Sequence, residues 1–204
     1  MPVPRFVAAC VAGLLCILPA RGHRLDELLQ ASFVLMERES AQVEIRLTPG
    51  IAVVDAFLAE IDQDKDQAIS AEEGRTFART VWGDVEFWLD GQRLALKPVD
   101  QEVSPREDLL AGVGFVRLRA RAGLGRLAAG EHRIVLINRH RVSMSVYLVN
   151  ALAPTHPGVV IRSQKRDELQ TTFRLAYTLL PSDHQAPDTH HSGREAGGAT
   201  QGPP

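Results

Sequence analysis

LLQASFVLM (residues 28–36), AQVEIRLTP (41–49) and FVRLRARA (115–122) decide the fold. In each, apolar residues alternate with polar or basic ones, the period of a strand with one buried face and one wet face. The polar stretch at 37–40 joins the first two. Working outward, VEFWLDGQRLAL (85–96) carries Asp90-Gly91 between two apolar runs, a hairpin signal. HRIVLINRH (132–140), MSVYLVNAL (144–152), GVVIRSQK (158–165) and LQTTFRLAYTL (169–179) continue the series. About nine short strands with turn signals between them predict a mainly β chain, folded as an antiparallel β-sandwich.

One stretch breaks the pattern. IAVVDAFLAEI (51–61) spaces Val54, Phe57, Leu58 and Ile61 as a helix would. DQDKDQAISAEE (62–73) follows, with Asp62, Asp64 and Asp66 at alternate positions. Ser70 precedes Glu73 by three residues, a capping-box pattern that opens a second helix carrying Phe77 and Val81. Residues from about 52 to 82 resemble an EF-hand, a helix–loop–helix that holds calcium. The resemblance implies a Ca²⁺ ion bound by oxygen ligands only: carboxylates of Asp62, Asp64 and Asp66, the carbonyl of Ala68, Ser70 through a water, and two oxygens of Glu73. Ile69 matches the apolar residue by which such loops pair. Two positions depart from the family. Gln67 stands where the family has a glycine with positive φ, implying strain on the order of 1 kcal/mol. Gly74 stands where an apolar residue is usual. Both point to weak binding, and a single hand points to a structural ion rather than a sensor.

Residues 1–22 read as a secretory signal peptide. Arg5 precedes the apolar run FVAACVAGLLCIL, which is shorter than a bilayer span, and Ala20-Arg21-Gly22 fits the cleavage rule, leaving His23 as the first mature residue. Both cysteines, Cys10 and Cys16, fall in this segment. The mature chain would then hold neither a disulfide nor a thiolate site, and would be periplasmic or secreted. Removing Arg5 and Arg21 from the 23 basic residues leaves 21 against 25 acidic ones, a balance unlike the basic footprint of nucleic-acid binders. No later stretch is long and apolar enough to cross a membrane. Residues 182–204, rich in Gly, Pro, Thr and His, read as a disordered tail. The sandwich domain is therefore expected over 23–181.

The layout as a whole, with a histidine start, RLDELLQASFVL, a strand ending in LTPG and an acidic helix–loop–helix before a hairpin, resembles the exported N-terminal domain of some bacterial nickel/cobalt transport proteins. That resemblance implies an envelope protein near metal traffic, with a transporter as partner. Its chemistry would be nitrogen ligation of nickel, cobalt or copper by His23, with His132, His140, His156 or the tail histidines His184, His190 and His191. A third reading is an interaction domain that works without an ion. Asn138-Arg139-His140 reads as a surface turn. With no nucleophile elbow, phosphate loop or dinucleotide fingerprint, the sequence gives no sign of an enzyme.

Overall fold

The structure, a computed structural model, describes residues 26–181. The expected signal peptide, His23, both cysteines and the expected tail lie outside these residues. In chain order the elements are β1 (Leu28–Met36), β2 (Ser40–Pro49), α1 (Val54–Ile61), α2 (Ala71–Gly83), β3 (Val85–Leu89), β4 (Gln92–Leu94), β5 (Lys97–Val103), α3 (Arg106–Leu110), β6 (Val116–Gly123), β7 (Gly130–Asn138), β8 (Ser145–Ala151), β9 (Val159–Arg166) and β10 (Thr172–Leu179). The strands form two five-stranded sheets, ordered β5-β6-β2-β1-β8 and β4-β3-β7-β10-β9. The chain is mainly β, arranged as a β-sandwich with a helix–loop–helix between β2 and β3.

In β2 and β6 the alternation seen in sequence is the alternation of burial, whereas the buried face of β1 carries the polar Gln30 and Ser32. Ala41, Val43, Ile45 and Leu47 of β2 and Val116, Leu118, Ala120 and Ala122 of β6 point inward. They meet Ile134 and Leu136 of β7 and Phe173, Leu175, Tyr177 and Leu179 of β10 from the other sheet. The helices extend this core. Val54, Phe57, Leu58 and Ile61 of α1 and Phe77, Ala78, Val81 and Trp82 of α2 are buried, and Phe57 meets Phe77 edge-on at 5.4 Å between ring centroids. At Asp90-Gly91 the chain turns with φ of 47° and 86°, the left-handed pair that a two-residue hairpin needs.

Three features depart from the expectation. First, the sandwich is not wholly antiparallel, because β8 runs parallel to β1, from Leu28 opposite Ser145 to Val34 opposite Ala151. After β7 the chain leaves one sheet, passes through a 3-10 turn at Val142–Met144 and enters the other beside the start of β1, and that entry point sets the direction. Second, β5 was not expected. Its sequence KPVDQEV does not alternate, because it is an edge strand with a register shift between Pro98 and Asp100. Ion pairs to the exposed face of β6, Asp100 with Arg119 and Glu102 with Arg117, hold it in place. Third, the short helix α3 was not expected.

Asn138-Arg139-His140 is not a surface turn, since Asn138 and His140 are only 3% and 2% exposed. Gln30, fully buried on β1, donates from Nε2 to the His140 carbonyl at 2.6 Å and to Ser145 Oγ at 2.8 Å, and its Oε1 accepts from Asn138 Nδ2 at 3.0 Å. Tyr147 Oη donates to the same His140 carbonyl at 2.6 Å. This hydrogen-bonded cluster binds the crossing between the sheets, although His140 Nε2 is buried without a partner. The outer edge of β8 is covered by side chains: Gln170 and Gln164 accept from the amides of Val149 and Ala151, and Arg166 Nε donates to the Val149 carbonyl at 2.6 Å.

Two outcomes are expected. Gln30→Leu leaves the Asn138 amide unpaired and removes one donor from the His140 carbonyl, so urea unfolding should show a loss of about 2 kcal/mol. His132 contacts Asp90 Oδ2 through Nδ1 at 2.7 Å and the Ala128 carbonyl through Nε2 at 2.9 Å. Burial works against its charge, but the two acceptors outweigh burial and hold its pKa above the usual value. A raised pKa gives stability that is complete below the unfolded value near 6.5 and lost as pH rises through the folded value. Melting temperature should therefore fall as pH rises above about 6.5, and His132→Gln should flatten that slope.

Candidate metal centre

The end of α1 and the start of α2 set the loop's geometry. Asp62 caps α1, its amide donating to the Leu58 carbonyl at 2.9 Å. Lys65 and Gln67 then take φ of 61° and 71°, which folds the chain back within a few residues. Gln67 thus holds the positive φ expected of that loop position, where a Cβ is strained. Asp64 Oδ1 accepts from the Asp66 amide at 3.2 Å and Asp66 Oδ1 from the Ala68 amide at 2.8 Å. At Ser70 the capping box forms as expected: the Glu73 amide donates to Ser70 Oγ at 3.2 Å, and the Ser70 amide to Glu73 Oε2 at 2.9 Å.

This folding brings one carboxylate oxygen from each of Asp62, Asp64 and Asp66 within 4.8 Å of one another. Asp64 and Asp66 are exposed, but Asp62 is only 5% exposed. Its two oxygens differ. Oδ2 accepts from the Gln67 amide at 3.2 Å and from Arg106 Nη1 at 3.1 Å. Oδ1 is buried without a hydrogen-bond partner. A buried, unpartnered carboxylate oxygen is costly, and either an ordered water or a cation would satisfy it. The donor set is oxygen only, which suits a hard divalent ion.

The other expected ligands sit on the returning limb of the loop. Ala68 is tied by its amide to Asp66, and Ser70 Oγ donates to Glu73 Oε2 at 2.8 Å. Glu73 stands outside the group of three. Its Oε1 accepts from the amides of Gln63 at 2.8 Å and Asp64 at 3.5 Å. Hydrogen bonds from the Ser70 amide and hydroxyl hold its pKa below the usual glutamate value. Gly74 lies against β5, where an added methyl would meet Val103 Cγ2 at 3.5 Å. The sandwich itself thus covers Gly74.

Sequence reading missed Arg106, which reaches Asp62 from 44 residues along the chain. No local spacing signals such a contact. The histidines of the nitrogen-ligand reading stand apart: His132 is held by Asp90, His140 Nδ1 lies 2.8 Å from Asp84 Oδ2, and His156 Nδ1 accepts from the Gly158 amide at 2.9 Å. Among the described residues, the three aspartates form the one group that could hold a metal.

Fold and loop together define a two-sheet β-sandwich with an inserted helix–loop–helix whose loop gathers carboxylates. No protein-family model matches the chain, and no curated protein matches it. Ser70→Ala should remove the α2 cap at a loss of about 1 kcal/mol in chemical unfolding.

Proposed function

We propose that the chain is a calcium-binding domain in which the ion ties the two helices to the sandwich. The observation that carries this reading is that Asp62, whose buried Oδ1 lacks a partner, brings a carboxylate oxygen together with those of Asp64 and Asp66. Asp62, Asp64 and Asp66 would supply carboxylate oxygens, Ala68 its carbonyl, Ser70 a bridging water and Glu73 the closing carboxylate. The role is structural and non-catalytic. An oxygen-only set favours calcium over nickel, cobalt or copper, which take nitrogen. The amino-terminal pattern and the confinement of cysteine to it support export, where calcium is abundant enough for a weak site of about 10⁻⁴–10⁻³ M.

At 10 mM Ca²⁺ such a site should add about 1.4–2.7 kcal/mol to unfolding stability. Asp62→Ala and Glu73→Gln should each abolish most of that gain, read by thermal melting with and without a chelator. Melting of the parent that ignores both calcium and chelator would sink the reading in favour of an ion-independent interaction domain.

A further inference from the structure

We infer that Arg106 sets the strength and the charge selectivity of this cation site. The inference rests on the calcium reading above and concerns what governs it. Arg106 Nη1 lies 3.1 Å from Asp62 Oδ2, on the carboxylate whose other oxygen is free of hydrogen bonds. The guanidinium is itself partly buried, with 29% of the side chain exposed.

It is also rigidly presented. Leu109 anchors α3 in the core at 0% exposure. The chain then doubles back over α3 at Gly114, whose amide donates to the Asp108 carbonyl at 2.8 Å. A Cβ on Gly114 would lie 2.6 Å from the Leu109 nitrogen, so the turn is closed too tightly for any side chain. The backbone that carries Arg106 is therefore held in place beside the loop.

The consequence is electrostatic. Asp62, Asp64, Asp66 and Glu73 place four negative charges around one short loop, and Arg106 offsets one of them without occupying Oδ1. It helps the unloaded loop tolerate its own charge, and it repels whatever cation enters. Coulomb repulsion scales with the product of the charges, so a trivalent ion is penalised one and a half times as strongly as a divalent one. Removing a residue that only oriented Asp62 would instead weaken binding of both ions, the opposite sign. The coupling is reciprocal: whatever factor Arg106 takes from the ion's affinity, the ion takes from the Arg106–Asp62 contact. Weak binding then has a source in α3 as well as in the strained turn at Gln67.

The test compares Ca²⁺ and Tb³⁺ titrations of the whole protein with those of Arg106→Met and Arg106→Lys. Arg106→Met keeps the apolar stem and removes the charge. It should bind Ca²⁺ on the order of tenfold more tightly. Because the penalty scales with charge, Tb³⁺ should gain about thirtyfold. Arg106→Lys keeps the charge and should stay near the parent for both ions. Arg106→Gln, which retains a donor for Asp62 Oδ2, gives the same comparison if the Met variant melts below the assay temperature. Unchanged or weakened binding, or an equal change for both ions, would overturn the inference and leave Arg106 a brace for Asp62. A parent that binds neither ion removes the site itself, and the inference falls with it.

Discussion

The His140 carbonyl, held by both Gln30 Nε2 and Tyr147 Oη, is the point on which the architecture turns. A buried carbonyl must be paired, and pairing this one fixes where the chain passes from one sheet to the other. β8 then enters the sheet alongside β1 rather than against it. The same short stretch also grips the helices. His140 meets Asp84 at the end of α2 and packs edge-on against Phe77 at 6.0 Å, while Arg141 pairs with Glu60 of α1. Arg141 takes φ of 58° to make that reach. His140 and Arg141 thus connect two sheets and two helices.

The helix–loop–helix is therefore part of the sandwich rather than a unit attached to it. α2 lies against β5, and the loop's innermost aspartate is met by a side chain from α3. The single hand proposed above would have no second hand to pack against. Here β5, α3 and the segment after β7 pack on the helix–loop–helix instead, using ion pairs and apolar contacts that a separate thirty-residue unit would lack.

Legibility followed the range of the interaction. Strands with one wet face announced themselves, because burial on one side imposes alternation; β2, β6 and β7 lie where residues 41–49, 115–122 and 132–140 predicted. The capping box and the left-handed Asp90-Gly91 turn are also local, and both formed. β5 was hidden because an edge strand buries little, although Asp100 and Glu102 share the spacing of Arg117 and Arg119 opposite them. The parallel pairing of β1 with β8 was hidden because alternation does not encode direction. In the loop, the aspartates were legible as a spacing, but which of them is buried, and that Arg106 meets it, depends on packing across 44 residues. Asn138-Arg139-His140 misled because its polarity suggested solvent, whereas two of the three residues satisfy each other and Gln30 indoors.

The covered edge of β8 has a bearing on how molecules of this protein behave when crowded together. A bare strand edge is a template on which a neighbouring chain can add, and sheets grow into aggregates by that route. On β8 the Val149 amide and carbonyl and the Ala151 amide are already engaged by Gln170, Arg166 and Gln164. An incoming strand would have to evict these side chains before pairing with Val149 or the Ala151 amide. At the opposite end of that sheet, β5 presents Lys97, Pro98 and an irregular register. Both ends of this sheet thus discourage strand addition from outside.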